Sequence, residues 1–312
     1  MNSLLRSPKY DVITFGDMAV DLIVNGKDVV PQFGQVEKLI EDYTLEMGGS
    51  CCIFACQAAR LGLRVGIMGR LGKDSFGDLI ISRLQEYGVD THYVIVDPDL
   101  KTGLGIALCP PGDRAILTYM GTINATVPQD VTEEFLTSGR HLHHGSYFLQ
   151  TQLRPRIPAV FQWAHQLGLT TSLDTNWDPE ERWGDELAGL LPWVDVFMPN
   201  EQEALRISGS STLEASVKKL HAMGTRLVTV KCGADGALIS DGLSVIRQSV
   251  EPVSEGDSIG AGDSFDAGFL AGWMRGMPLE DCLHIGCQCG RSVAAKVGGI
   301  QGQPIWVEIG SE

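Results

Sequence analysis

Within DSIGAGDSFDAGFLAGWM, which begins at Asp257, Gly260, Ala261 and Gly262 stand directly ahead of Asp263 and an apolar helical run. Glycines at a loop-to-helix junction let successive N–H groups converge on one spot, and the helix dipole adds partial positive charge there. The result is an anion hole suited to the oxygens of a phosphoryl group. Asp263 stands where a carboxylate would accept the proton of an attacking hydroxyl. The plainer reading is a tight turn that lets a helix pack closely, with Asp263 as its cap. The stretch NEQEA sets Asn200 and Glu203 one helical turn apart, two oxygen donors on one face for a hard cation such as magnesium. Alone it reads more readily as a capped helix start whose acids complement the dipole; beside an anion hole, the metal reading is preferred.

Other stretches carry weaker signals. FGDMAVDLIV puts Asp17 and Asp21 just after a first apolar run, where an aspartate is ordinarily a turn former. HLHHGSY gathers His141, His143 and His144, but on a strand His144 points away from the other two, and no cysteine or paired carboxylate nearby completes a metal site. GRLGKDS has the wrong glycine spacing for a P-loop, with Asp74 where Ser or Thr should follow Lys73. No G-x-G-x-x-G follows the first strand, so a dinucleotide-binding reading is weak.

The elements that must hold these residues follow from the rhythm of the chain. YDVITFG, CCIFACQAARLG, RVGIMGRLG and DSFGDLIISRLQEYG alternate β-branched apolar runs with helical patterns, and TTSLD, DVFMP and RLVTVK continue the alternation. That predicts βαβ units and a mostly parallel sheet covered by helices, with ligands beyond the carboxyl ends of the strands. Two stretches, about 22–47 and 93–120, break the rhythm. The second, TGLGIALCPPGDRAILTYM, reads as strand, Pro-Gly turn, strand. Together they predict a small antiparallel sheet inserted into one domain spanning residues 1–312, serving as a lid or a dimerisation surface. Asp241-Gly242 between apolar strands predicts a hairpin.

Composition bounds the partners. The chain has 312 residues, 44% hydrophobic and 20% charged, which is ordinary globular usage. With 24 basic against 39 acidic residues the formal charge is −15, which opposes non-specific attraction to nucleic acid or an anionic membrane. The start MNSLLRSPKYD lacks the apolar core of a signal peptide, and no run is long enough to span a bilayer, so a cytoplasmic location is expected. The eight cysteines form no C-x-x-C pair and read as small buried hydrophobes.

The glycine-rich segment closely resembles the C-terminal signature of the ribokinase (PfkB) family of carbohydrate kinases, D-T-x-G-A-G-D, with Ser258 in place of threonine. The resemblance runs from Asp11 to about Gln301. GGSCCIFACQAARLG is similar to the family's N-terminal signature, GRLGKDSFG to its companion segment, PNEQEA to its N-x-x-E pattern, and VKCGADG to its nucleotide-binding turn. It implies a ribokinase-like three-layer α/β/α domain with a small β lid, using ATP and Mg2+ to phosphorylate a hydroxyl of a sugar or related small molecule. Asp263 would be the base and Gly260, Ala261 and Gly262 the anion hole. Asp257 would anchor that loop, where the family often carries a K+ site. Asp21, with Asp17 beside it, Gly48, Gly49 and Asp174 would line the acceptor pocket. Asn200 and Glu203 would organise magnesium and the phosphates, Lys231, Gly233 and Gly236 would meet the nucleotide, and Cys289 would pack near the adenine.

Two departures stand out. The family's arginine after the D-x-N of Asp174 and Asn176 is Asp178 here. The asparagine that reaches the sugar in the Gly-Gly-x-x-x-Asn pattern is Ile53, which neither donates nor accepts, so specificity should be redirected away from ribose. Alternatively the helix has repacked, with Ile53 buried and a neighbour such as Asn124 supplying the contact. A homodimer built through the lids is expected from their exposed edges. A nucleoside kinase of the same fold and a non-catalytic binding protein are the rivals; the intact Asp263 and its glycines argue against the latter.

Overall fold

The computed structural model describes residues 8–110, 114–184, 186–253 and 258–309. Asp257 and the Pro111-Gly112 turn lie outside the described residues.

The first strand, β1 (Val12–Phe15), is buried along its whole length. Its side chains alternate between two cores: Ile13 and Phe15 pack to one side, Val12 to the other. Strands buried on both faces read as continuous apolar runs, which is why VITF carries no polar–apolar alternation. Chain order then gives β2 (Ala19–Asn25), β3 (Asp42–Gly48), β4 (Val65–Gly72), β5 (Asp90–Asp97), β6 (Gly103–Cys109) and β7 (Ala115–Tyr119). The second half contributes β8 (His141–His144), β9 (Thr170–Leu173), β10 (Val196–Phe197), β11 (Leu227–Lys231), β12 (Ala237–Ser240) and β13 (Val245–Gln248).

The large sheet runs β13-β12-β11-β10-β9-β8-β1-β4-β5. It is parallel from β5 through β11, and the β12–β13 hairpin closes one edge antiparallel. Helices α1 (Ser50–Arg60), α2 (Ser75–Glu86), α3 (Glu133–Thr137), α4 (Ile157–Gln166), α5 (Glu201–Ser208), α6 (Leu213–Ala222), α7 (Ala261–Trp273) and α8 (Leu279–Ala294) cover it. Apolar side chains of α3, α4, α5 and α6 fill one core, and those of α1, α2, α7 and α8 the other. Each fully buried Phe or Leu in them contributes about 1.5–3 kcal/mol.

The small sheet runs β3-β2-β6-β7. Two boundaries differ from the sequence expectation. Its first strand begins at Ala19, and β5 belongs to the large sheet because Gly66 to Gly72 pair with Asp90 to Asp97. The sheet is also mixed rather than antiparallel: β2 pairs parallel to β6, while β2–β3 and β6–β7 are antiparallel. A parallel pair needs a long crossover, and here the intervening chain is a whole section of the large domain.

Candidate active site

The acceptor side is assembled around the start of α1. Gly49 is its N-cap at φ +85°, in the left-handed region, and a Cβ there would come within 3.0 Å of the Ala19 amide nitrogen and the Asp17 carbonyl oxygen. With no cap side chain, the helix's first amides are satisfied by Asp17: Ser50 N donates to Oδ2 at 2.9 Å and Cys51 N to Oδ1 at 3.2 Å. Ser146 Oγ also donates to Asp17 Oδ2 at 2.9 Å. Asp17 is 4% exposed and accepts these three bonds, so it ties α1 to the end of β1.

Three polar side chains stand above it. Asn176 Nδ2 donates to Ser50 Oγ at 2.8 Å and to Ser146 Oγ at 2.7 Å. Because the Ser146 proton goes to Asp17, the Ser50 proton remains for Asp263, whose carboxyl lies within its reach. Asn176 (φ +57°) and Ser146 (φ +54°) are both left-handed without being glycine, conformations that cost about 1 kcal/mol or more and gather at functional sites. From the small sheet, the Asp21 carboxyl lies across β3 and β6, over Gly48 and Gly105, where any Cβ would overlap it.

Facing this cluster is the start of α7. Its N-cap Gly260 has φ +73° and no capping side chain, and a Cβ there would overlap the Gly299 carbonyl. Ala261, Gly262 and Asp263 form the first turn, and among the described residues no side chain bonds the Gly262 or Asp263 amide. Asp263 is partly buried there. Burial pushes its carboxyl up and the charge of Asp174 adds to this; Lys231 and the Ser50 hydroxyl pull it back, leaving it at about 7.

Beneath this turn lies a cluster of charge. Lys231 Nζ sits 2.9 Å from Asp174 Oδ2 and 3.2 Å from both oxygens of Asp266. Burial alone would lower the Lys231 pKa, but Asp174, Asp266 and Glu203 outweigh it and hold the ammonium above its ordinary value. Burial raises Asp266 well above the ordinary carboxylate range, opposed by Lys231. Asn200 and Glu203 form a capping box on α5: Glu203 N donates to Asn200 Oδ1 at 2.9 Å, and Asn200 N and Nδ2 donate to the Glu203 carboxylate at 2.9 and 2.6 Å. Burial and then Asp174 push Glu203 upward. Among the described residues, Asp174 Oδ1 is buried with no hydrogen-bond partner.

The remaining expected residues fall elsewhere. Lys231, expected at the nucleotide, is held between two carboxylates close under the first turn of α7. Gly233 and Gly236, both at positive φ, close the turn between β11 and β12. Cys289 is fully buried between α7 and α8, where a Cβ on Gly268 would come within 2.8 Å of its sulfur, so it presents nothing to an adenine. Ile53 is 3% exposed and packs on Gly299, a repacked core residue rather than a pocket lining. Asn124 does not replace it: its amide is bonded to Thr151 Oγ1 and the Gln152 N–H. The three histidines are buried, His141 against Thr170 and Ser172, His143 against Ser172, and His144 against the Phe15 carbonyl. Ser50, Ser146 and Asp266 were not anticipated. Asp266 had a signal, as the lone charge in the run SFDAGFLAGW; Ser146 had none.

A three-layer α/β/α domain with a small lid sheet over an uncapped helix start and a carboxylate is the architecture of a sugar kinase. The pfkB family carbohydrate kinase model matches residues 9–306, and the chain belongs to that family. It is 26% identical to an ATP-dependent 6-phosphofructokinase of Thermoanaerobacterium thermosaccharolyticum over 95% of this chain and 91% of the relative. It is 27% identical to a 2-dehydro-3-deoxygluconokinase of Bacillus subtilis over 95% of this chain and 93% of the relative. An E. coli protein assigned as a ribokinase II, in complex with ATP and Mg2+, superposes with a TM-score of 0.83 at 27% identity, covering 96% of this chain and 97% of that one.

Proposed function

We propose that this protein transfers the terminal phosphoryl group of ATP to a hydroxyl of a sugar or sugar-like polyol, with Asp263 as the base. The carrying observation is the pairing of a carboxyl poised at about 7 with the uncapped first turn of α7. A base near the working pH both takes a proton and releases it readily. The acceptor binds between Asp21 and the Asn176–Ser50–Ser146 set. Asp263 withdraws its proton as the hydroxyl oxygen attacks the terminal phosphorus, and the bond from that phosphorus to the bridging oxygen of ADP breaks. The Gly262 and Asp263 amides, on the turn set by Gly260 and Ala261, stabilise the charge on the transferring oxygens without reorganising.

The donors present fit Mg2+, a hard ion that keeps several waters: carboxylate and amide oxygens at Asn200 and Glu203, and the partnerless Asp174 oxygen in an acid-rich pocket. With Asn200 and Glu203 locked in their capping box, they would hold the ion through water; when bound it neutralises phosphate charge. The family's K+ site would lie by the Asp257 loop. We further propose a cytoplasmic location and a homodimer through the small sheet, on which Tyr43, Leu45, Ile116, Leu117 and Tyr119 are exposed.

The test is ATP consumption with Mg2+ against ribose, fructose, fructose 6-phosphate, acidic keto-deoxy sugars and nucleosides. A sugar or sugar acid giving the highest kcat/KM is expected. A nucleoside preferred over all of them would move the acceptor class to a nucleoside kinase, and no acceptor-dependent ATP consumption would overturn the reading.

A further inference from the structure

The Lys231–Asp266 contact joins three elements that must be held in register for Asp263 to work. Lys231 ends β11, its backbone bridged to Asn200 and its N–H donating to the Pro199 carbonyl. Asp174 follows β9, and Asp266 lies on α7 three residues, less than one turn, after Asp263. The ammonium lies close under the first turn of α7, since a Cβ on Gly262 would be 3.5 Å from it.

The other contacts of α7 are close but apolar: Phe265, Phe269 and Leu270 are buried in the core. Against α8 it presents Gly268 and Gly272, and α8 answers with Gly286 and Gly290, whose added Cβ atoms would come within about 3 Å of Phe265 and the Ala261 carbonyl. Such a seam brings the helices close through apolar packing that has no preferred direction. The ion pair, by contrast, is directional. A buried ion pair is also a poor stabiliser: replacing one by apolar groups of similar size is often neutral or favourable. Fold stability therefore gives little reason for an ammonium and a buried carboxylate at this point.

We propose that Lys231 and Asp266 are a positioning pair for phosphoryl transfer: the ion pair fixes the rotation of α7 against the ends of β9 and β11, and so aims Asp263, three residues before Asp266, at the acceptor hydroxyl. This deepens the phosphotransfer reading and rests on it. Neither residue need touch substrate.

The variant of choice is Asp266→Leu, because it leaves Lys231 paired with Asp174. Lys231→Met strands two carboxylates and serves only as a folding comparison. Asp266→Leu should lower kcat on the order of tenfold to a hundredfold while the KM values for ATP and acceptor change by less than about threefold, because misaiming of a reacting group is felt in the chemical step. Asp266→Glu should recover most of the loss. Hydrogen exchange of the unliganded protein supplies a readout that needs no substrate: the amides that bond back to the first turn of α7, beginning with Ser264 N, which donates to the Gly260 carbonyl at 2.9 Å, should exchange about tenfold faster in Asp266→Leu, with the later turns of the helix unchanged. Unchanged exchange with kcat within about threefold of the wild type would overturn the proposal, as would a loss seen only in KM. If the wild type phosphorylates no acceptor, the activity reading falls, and the exchange measurement still decides whether the pair orders α7.

Discussion

Two helices in this protein start in the same way and are finished differently. Both α1 and α7 begin at a glycine with positive φ and no cap side chain, Gly49 and Gly260. At α1 the exposed amides are filled from within by Asp17, whose carboxylate accepts from Ser50 and Cys51. At α7 no resident carboxylate takes the amides among the described residues, and the nearest acid, Asp263, belongs to the turn itself. A helix start is an anion site in either case. One is occupied by the protein as structure; the other is the start at which we propose a phosphate binds.

The largest effect expected from this contrast is at Asp263. Asp263→Asn should lower kcat by on the order of a hundredfold or more with ATP binding retained, because geometry survives and proton acceptance does not. In the wild type, kcat/KM should fall as pH drops through about 7, where the Asp263 carboxyl protonates, since only the ionised form is a base. A profile flat from pH 8 to 5, or near-normal kcat in Asp263→Asn, would remove it from the role.

Next come the glycines. Gly260→Ala must either leave positive φ or push against the Gly299 backbone, at a strain of about 1–3 kcal/mol, and should raise the KM for ATP and lower kcat. Gly49→Ala carries similar strain against Ala19 and Asp17 but should act on acceptor KM and stability, leaving KM for ATP nearly unchanged. Steady-state kinetics of the two variants side by side test whether the two starts have separate tasks; identical profiles would erase the distinction.

A smaller effect is expected at Asp17. Asp17→Asn keeps the shape but replaces a charged acceptor of two amides and a hydroxyl, and should cost about 1–2 kcal/mol in urea unfolding. Acceptor KM should change only modestly. A large rise in KM with unaltered stability would return Asp17 to the substrate.

The smallest functional effect is expected at Ile53. Since its side chain is buried on Gly299, Ile53→Asn should lower the melting temperature without creating a sugar contact, leaving relative kcat/KM across sugars within about threefold. A marked gain for ribose would show that the pocket reaches it.

These cases also mark how far the sequence could be read. The parallel sheet, the lid and the Asp263 turn were legible because glycine spacing and strand–helix alternation are local. Asp17 and Asp21 were not separable from sequence: both follow the first strand, and only the fold turns one toward α1 and lays the other across Gly48 and Gly105. The partners of Lys231 were not legible, because its motif carries no trace of Asp174 or Asp266, which reach it from distant parts of the chain. Ser146 is a single residue in an unremarkable loop, and its left-handed backbone becomes visible only in three dimensions.

The parallel pairing of β2 with β6 bears on the order in which the molecule assembles. Ala19 meets Gly103 across a segment containing α1, β4, α2 and β5, so the centre of the small sheet cannot close until that segment has docked. Closing so long a loop is entropically costly, and contacts of high sequence separation form late. The lid should therefore be the last part to form during folding and the first to open under native conditions, its strand amides exchanging ahead of those in β1 and β8. Topology alone would then give the cover over the acceptor the lower local stability that binding and release require.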